Sequence, residues 1–197
     1  SEYNDLVKLA VTEDKGEQEN GTDDQDGSRF SVDFDALRQI NPDVVAWIRF
    51  DEPAVINYPV VQGSDNSEYL SKTFKGYDNT VGTIFVNACN HADFNDRNTI
   101  IYGHYMYNGT MFNELEQYHE KSFWEKYPSF YIYTPDGNVA TYQIYSDGVV
   151  KDTSEGYTYQ FADDAAFASF LEATKASSLY DTGVEVGNDS QIVTLST

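Results

Sequence analysis

The sequence predicts a mainly β protein, a β-barrel or strongly curved sheet with helices laid over its strand connections. Two observations carry that reading. Seven segments rich in Val, Ile, Tyr, Phe and Thr recur along the chain, and helical spacing of apolar residues interrupts them at only a few places. The 16 Tyr, 12 Phe and 2 Trp make the 197 residues 15% aromatic, which suits one sizeable core and not a disordered acidic chain.

Taken in order, residues 1–11 carry Leu6, Leu9 and Ala10 at helical spacing and predict a short helix. Residues 12–28 hold seven acids, one Lys and no large apolar side chain, so they read as a solvated linker with a net charge of −6. Asp23, Asp24 and Asp26 lack the alternating ligands and closing Glu of a calcium loop. We therefore divide the chain into a helix with an acidic flexible linker (1–29) and one folded domain (30–197). A capped helix is expected over Phe34, Leu37 and Ile40, stopped at Asn41-Pro42, and then a strand through Val45, Trp47 and Ile48. Strands are expected within 54–62, 82–88, 98–105, 129–135, 138–150 and 191–196, with Pro135-Asp136-Gly137 as a hairpin turn. Two helices remain: one across 111–128, where Ser122 and Glu125 have capping-box spacing, and one across 163–178 presenting Phe167, Phe170, Leu171 and Thr174 on one face. The Asn-x-Ser/Thr triplets at Asn20, Asn108 and Asn188 read as turns.

Charge excludes one class of partner. With 12 Lys+Arg against 33 Asp+Glu, the net charge of −21 leaves no basic cluster to displace counterions, so nucleic acid is not a partner. The single cysteine, Cys89, fixes no redox compartment, and no His/Cys/Asp set has zinc spacing; no metal or cofactor is indicated. No apolar run is long enough to span a membrane, and the polar start at Ser1 reads as an ectodomain whose membrane anchor lies upstream.

The candidates for chemistry are few. His91 and His119 lie in polar surroundings and read as surface residues. His104 closes the apolar run Ile100-Ile101-Tyr102-Gly103, at a strand mouth beside a glycine that admits a close backbone. That is a good station for a general acid or base, and equally for a histidine simply bonded into a loop. Cys89 has no cationic neighbour in sequence to make it a thiolate and reads as a small packed side chain.

Longer strings go further. Asn41-Pro42-Asp43-Val44-Val45-Ala46-Trp47-Ile48, Tyr58-Pro59-Val60-Val61-Gln62-Gly63 followed by Asp65-Asn66-Ser67-Glu68-Tyr69-Leu70, Gly82-Thr83-Ile84-Phe85, Asn98 through His104, Gly109-Thr110-Met111-Phe112 and Ile192 through Thr197 stand in one order at family-like separations. In these blocks, from about Phe34 onward, the chain resembles a class B sortase, a cysteine transpeptidase of the Gram-positive cell surface. The resemblance implies a closed sortase-type barrel with extra N-terminal helices, and a Cys-His-Arg site in which His104 matches the catalytic histidine. The family's cysteine directly follows the Thr194-Leu195-Ser196-Thr197 segment and its arginine lies on the next strand, so both are expected beyond Thr197 in a longer natural polypeptide. Asn90, Tyr102, Tyr157, Leu195, Ser196 and Thr197 are expected along the substrate groove. The implied partners are the sorting-signal peptide of a surface protein, of the Asn-Pro-x-Thr kind, and an amine of a peptidoglycan precursor or cross-bridge. A pilin lysine as acceptor, or a non-catalytic peptide-binding domain, are the alternatives. The implied location is the extracytoplasmic face of the membrane and the cell wall.

Overall fold

A computed structural model describes residues 1–13, 30–151 and 155–197. Helix α1 (Glu2–Ala10) forms as expected, but its buried stripe is Leu6 and Ala10, whereas Leu9 is 52% exposed. Strand β1 (Val11–Glu13) pairs antiparallel with β2 (Phe30–Val32). Thr12 and Glu13, which composition assigns to the linker, are therefore strand residues: pairing with Ser31 and Phe30 outweighs their polarity. The remainder of the predicted linker lies outside the described residues. Helix α2 (Phe34–Ile40) starts at Asp33, whose carboxylate accepts the Ala36 N–H at 3.0 Å, and it ends at Asn41 before Pro42.

Seven strands make the main sheet: β3 (Val44–Arg49), β4 (Asn57–Val61), β5 (Ile84–Val86), β6 (Asn98–Tyr102), β7 (Ser129–Tyr133), β8 (Val139–Gln143) and β9 (Ile192–Ser196). Their order is β8-β7-β3-β4-β5-β6-β9, curled into a nearly closed barrel. β8 and β9 stand at the two ends of this ladder. Most neighbours are antiparallel, but β4–β5 and β6–β9 run parallel. β8 is shorter than its apolar run suggested, because its partner β7 is only five residues long. The turn between them is the predicted one: Gly137 at φ +86° donates to the Thr134 carbonyl at 3.0 Å.

The segment 111–128 is not one helix. A 3-10 helix (Asn113–His119) leads into α3 (Lys121–Lys126), and Ser122 falls inside that helix and not at its cap. The start is held by the Glu120 carbonyl, which accepts the N–H groups of Phe123 and Trp124, so no capping box forms. Helix α4 (Asp164–Ala176) buries Phe167, Phe170 and Leu171 as expected, against Ile192. Asn108 and Asn188 both lie in turns; Asn20 lies outside the described residues.

Alternation along the strands sorts the core into two faces. Ala46, Ile48, Tyr58, Val60, Ile84, Val86, Ile101, Phe130 and Ile132 gather on one. Trp47, Val61, Phe85, Tyr131 and Tyr133 gather on the other, beneath α1 and α2. A register shift in β3 between Val44 and Ala46 brings Val44 onto the second face with Trp47. Leu37 is fully buried there, so Leu37→Ala should lower stability by about 3 kcal/mol. Exposed Leu9→Ala should change it by less than about 0.5 kcal/mol. Urea denaturation measures both; a Leu9 effect as large as that of Leu37 would contradict the assigned stripe.

Candidate active site

The parallel pairing of β6 with β9 sets Ile101 beside Leu195 and Tyr102 beside Ser196, and the Gly103 N–H then donates to the Ser196 carbonyl at 2.9 Å. Both strands end at the same rim. Tyr102 stacks on two rings, Phe85 at 5.2 Å and Tyr157 at 6.3 Å, the latter nearly parallel to it at 9°. The Tyr157 hydroxyl and Ser196 Oγ share a 2.6 Å hydrogen bond. Asn98, fully buried, holds the Tyr157 loop in place: its Nδ2 donates to the carbonyls of Gly156 and Thr158, and its Oδ1 accepts from Thr194 Oγ1. Nothing in the sequence around Asn98 marks it for that role, since its partners lie far along the chain.

Beyond this stack lies His104, half-buried. Its Nε2 is 2.7 Å from the Leu70 carbonyl oxygen. A carbonyl only accepts, so Nε2 carries the hydrogen and Nδ1 is the basic nitrogen, without a hydrogen-bond partner among the described residues. Gly103 is required where it stands: a Cβ there would meet Ile84 Cδ1 and a Phe112 ring carbon, each at 2.5 Å.

Of the seven predicted site residues, Tyr102, Tyr157 and Ser196 touch one another, the exposed Thr197 follows Ser196, and His104 lies two residues beyond Tyr102 against Leu70 and Gly82. Leu195 alternates to the opposite face of the sheet and packs against the Ile101 cluster. Asn90 is buried and fully engaged: Nδ2 donates to Asp96 and to the Asn98 carbonyl, each at 2.9 Å, and Oδ1 accepts from the Ile100 N–H. It fastens a loop to β6. Cys89, expected to be packed, is exposed. It borders the stack: its bond to the Tyr159 hydroxyl holds that phenol above its usual range, and burial first, then Tyr157 and Cys89, do the same for Tyr102. Tyr159, missed in the sequence, also lines an open cleft of about 540 Å³ with Arg97, Gln160 and Phe161.

The other two histidines are each held by a carboxylate. His119 Nδ1 sits 2.9 Å from Asp147, half-buried and not on the open surface as its polar neighbours suggested. His91 Nδ1 sits 2.7 Å from Asp96 and is exposed. The hydrogen bond to Asp96 raises His91 above 6.5. A raised imidazolium stabilises the fold below the unfolded value near 6.5, and that contribution fades as pH rises through the folded midpoint. An NMR titration should give a His91 midpoint above 6.5, returning toward 6.5 in Asp96→Asn; an unmoved midpoint would contradict the pairing.

Among the described residues no helix is long and apolar enough to cross a membrane. A nearly closed seven-stranded barrel in which β6 and β9 run parallel and end together is the architecture of a sortase-type protein. A model of the sortase domain matches residues 50–197. Sortase B of Listeria monocytogenes is 33% identical over 163 residues, which are 82% of this chain and 65% of that protein. Sortase B of Staphylococcus aureus is 35% identical over 166 residues, 83% of this chain and 66% of that protein. The chain thus spans just under two thirds of the length of these curated relatives. Of the solved structures, a Staphylococcus aureus sortase B–substrate complex superposes with a TM-score of 0.78 at 32% identity, covering 83% of this chain and 76% of that one. Sortase B from Bacillus anthracis, in complex with AAEK2, gives 0.80 at 32% identity over 98% and 86%. The chain belongs to the sortase family, and these relatives place its likeness with the sortase B proteins.

Proposed function

We propose that this protein is a cysteine transpeptidase of the sortase B type, acting at the extracytoplasmic surface of a Gram-positive cell on the sorting signal of a surface protein. The observation that carries the reading is the β6–β9 register, in which the next residue after Thr197 would emerge beside His104. A cysteine there, the family's nucleophile, would attack as its thiolate the carbonyl carbon of the signal's Thr in an Asn-Pro-x-Thr motif. The C–N bond breaks, the departing amine takes a proton from the His104 imidazolium, and a thioester remains. An acceptor amine then attacks the thioester, returns a proton to the imidazole and forms a new amide, and the thiolate is regenerated. With Nε2 tied to Leu70, Nδ1 is the nitrogen that exchanges these protons. An arginine from the following strand would steady the oxyanion or the peptide. Tyr102, Tyr157, Ser196 and Thr197 form the wall along which the peptide lies.

A staphylococcal relative has been solved with substrate and a sortase B with triglycine, which supports a peptide donor and an amine acceptor here. Fluorogenic peptides varied around Asn-Pro-x-Thr should be cleaved by a polypeptide carrying the residues that follow Thr197, with transfer when a peptidoglycan-type amine is added. His104→Ala should reduce turnover by about a thousandfold. Transfer to a pilin lysine alone would redirect the acceptor, and binding without cleavage would make this a peptide-binding domain. No cleavage with or without an amine, and no effect of His104→Ala, would overturn the reading.

A further inference from the structure

We infer that Tyr3, on α1, is a positioning residue for His104, tying together the two loops that flank the imidazole. The inference rests on the proposed role of His104 as the proton carrier of the reaction.

The loop before β5 holds one side. Its start supplies the Leu70 carbonyl that fixes Nε2. Its return passes directly under the ring: Gly82 has φ +63°, and a Cβ there would lie 3.0 Å from His104 Cδ2 and 2.5 Å from the Tyr69 carbonyl. The loop is closed on itself by Thr83, whose N–H donates to the Tyr69 carbonyl at 3.0 Å and whose hydroxyl donates to the Lys72 carbonyl at 2.8 Å. Onto this closure comes Tyr3, its hydroxyl donating to the Gly82 carbonyl and reaching Thr83 Oγ1 at 3.2 Å. Glu2 adds a second tie, accepting from the Thr73 hydroxyl at 2.9 Å and the Lys75 N–H at 3.2 Å.

The loop after β6 holds the other side. The Tyr3 ring meets Tyr58 edge-to-face, 5.4 Å between centroids. The Tyr58 hydroxyl accepts the Met111 N–H at 2.9 Å, and Met111 sits at φ +58°, a conformation that needs such a hold. The next residue, Phe112, donates its N–H to the His104 carbonyl at 2.9 Å. One side chain thus reaches both loops that hold His104, directly at Gly82 and through Tyr58 at Met111. Burial pushes the Tyr3 phenol up to about 12, so it stays a donor at any working pH.

Tyr3→Phe tests this, because it keeps the ring on Tyr58 and removes the hydroxyl that ties α1 to Gly82 and Thr83. In the polypeptide that carries the nucleophile, kcat should fall by about tenfold to a hundredfold. KM should stay within about twofold. In a nitrogen-15 NMR spectrum, the His104 ring should lose its single Nε2–H tautomer and show exchange between the two. Leu9→Ala, on the same helix but facing solvent, should leave both readouts unchanged. Thr83→Val, which cuts the same closure from the other side, should repeat the tautomer change and decides the matter if Tyr3→Phe folds poorly. A His104 spectrum and kcat equal to the unaltered protein, with only a lower denaturation midpoint, would overturn the inference. The spectrum needs no turnover, so failure to cleave any sorting peptide would sink the functional reading and leave this one to be judged by NMR.

Discussion

The parallel pairing of β6 with β9 is the constraint on which the rest of the site depends. Parallel neighbours cannot be joined by a tight turn, so the chain must leave β6, build β7, β8, α3 and α4, and return to lie alongside. Its reward is that two strands of distant sequence end together. Their register then decides what each side chain can do: Tyr102 and Ser196 share one face and join Tyr157, while Ile101 and Leu195 share the other and fill the core. A slip of one residue would exchange these sets and bury the tyrosine edge.

Buried amides fasten this arrangement. An asparagine offers two donors and an acceptor on a short stem, enough to satisfy several backbone groups at once where water is excluded. Asn98 joins β6, β9 and the Tyr157 loop; Asn90 joins its own loop to β6; Asn41 donates to the Tyr69 hydroxyl and the Phe74 carbonyl, each at 3.0 Å. The polar framework of the barrel is thus largely neutral, although the chain carries −21. The carboxylates of Asp96 and Asp147 pair with His91 and His119, whereas His104 is bonded to a carbonyl.

Local pattern made the elements legible, since each strand and helix is decided by side chains within a few residues. His104 could be singled out for the same reason: the apolar run and the glycine before it are adjacent in sequence. What could not be read was anything settled by distant partners. Asn90 looks like a free polar residue until Asp96 and the Asn98 carbonyl claim it. Cys89 looks packable until the fold leaves it on the surface near Tyr159. Thr12 and Glu13 look like linker until β2 pairs with them, and Ser122 looks like a cap until the preceding 3-10 helix starts α3 earlier. Tyr3 gives no signal at all, because Gly82 and Tyr58 reach it only after the barrel closes beneath α1.

The proposed chemistry places the reacting atom at the first residue after Thr197, beside His104, and not at Cys89. The most direct measurement is the mass of the protein after brief reaction with a sorting peptide, followed by proteolytic mapping of the acyl adduct. The account predicts one thioester on the residue that follows Thr197, abolished by hydroxylamine. An adduct on Cys89, or none on a protein that cleaves the peptide, would contradict it.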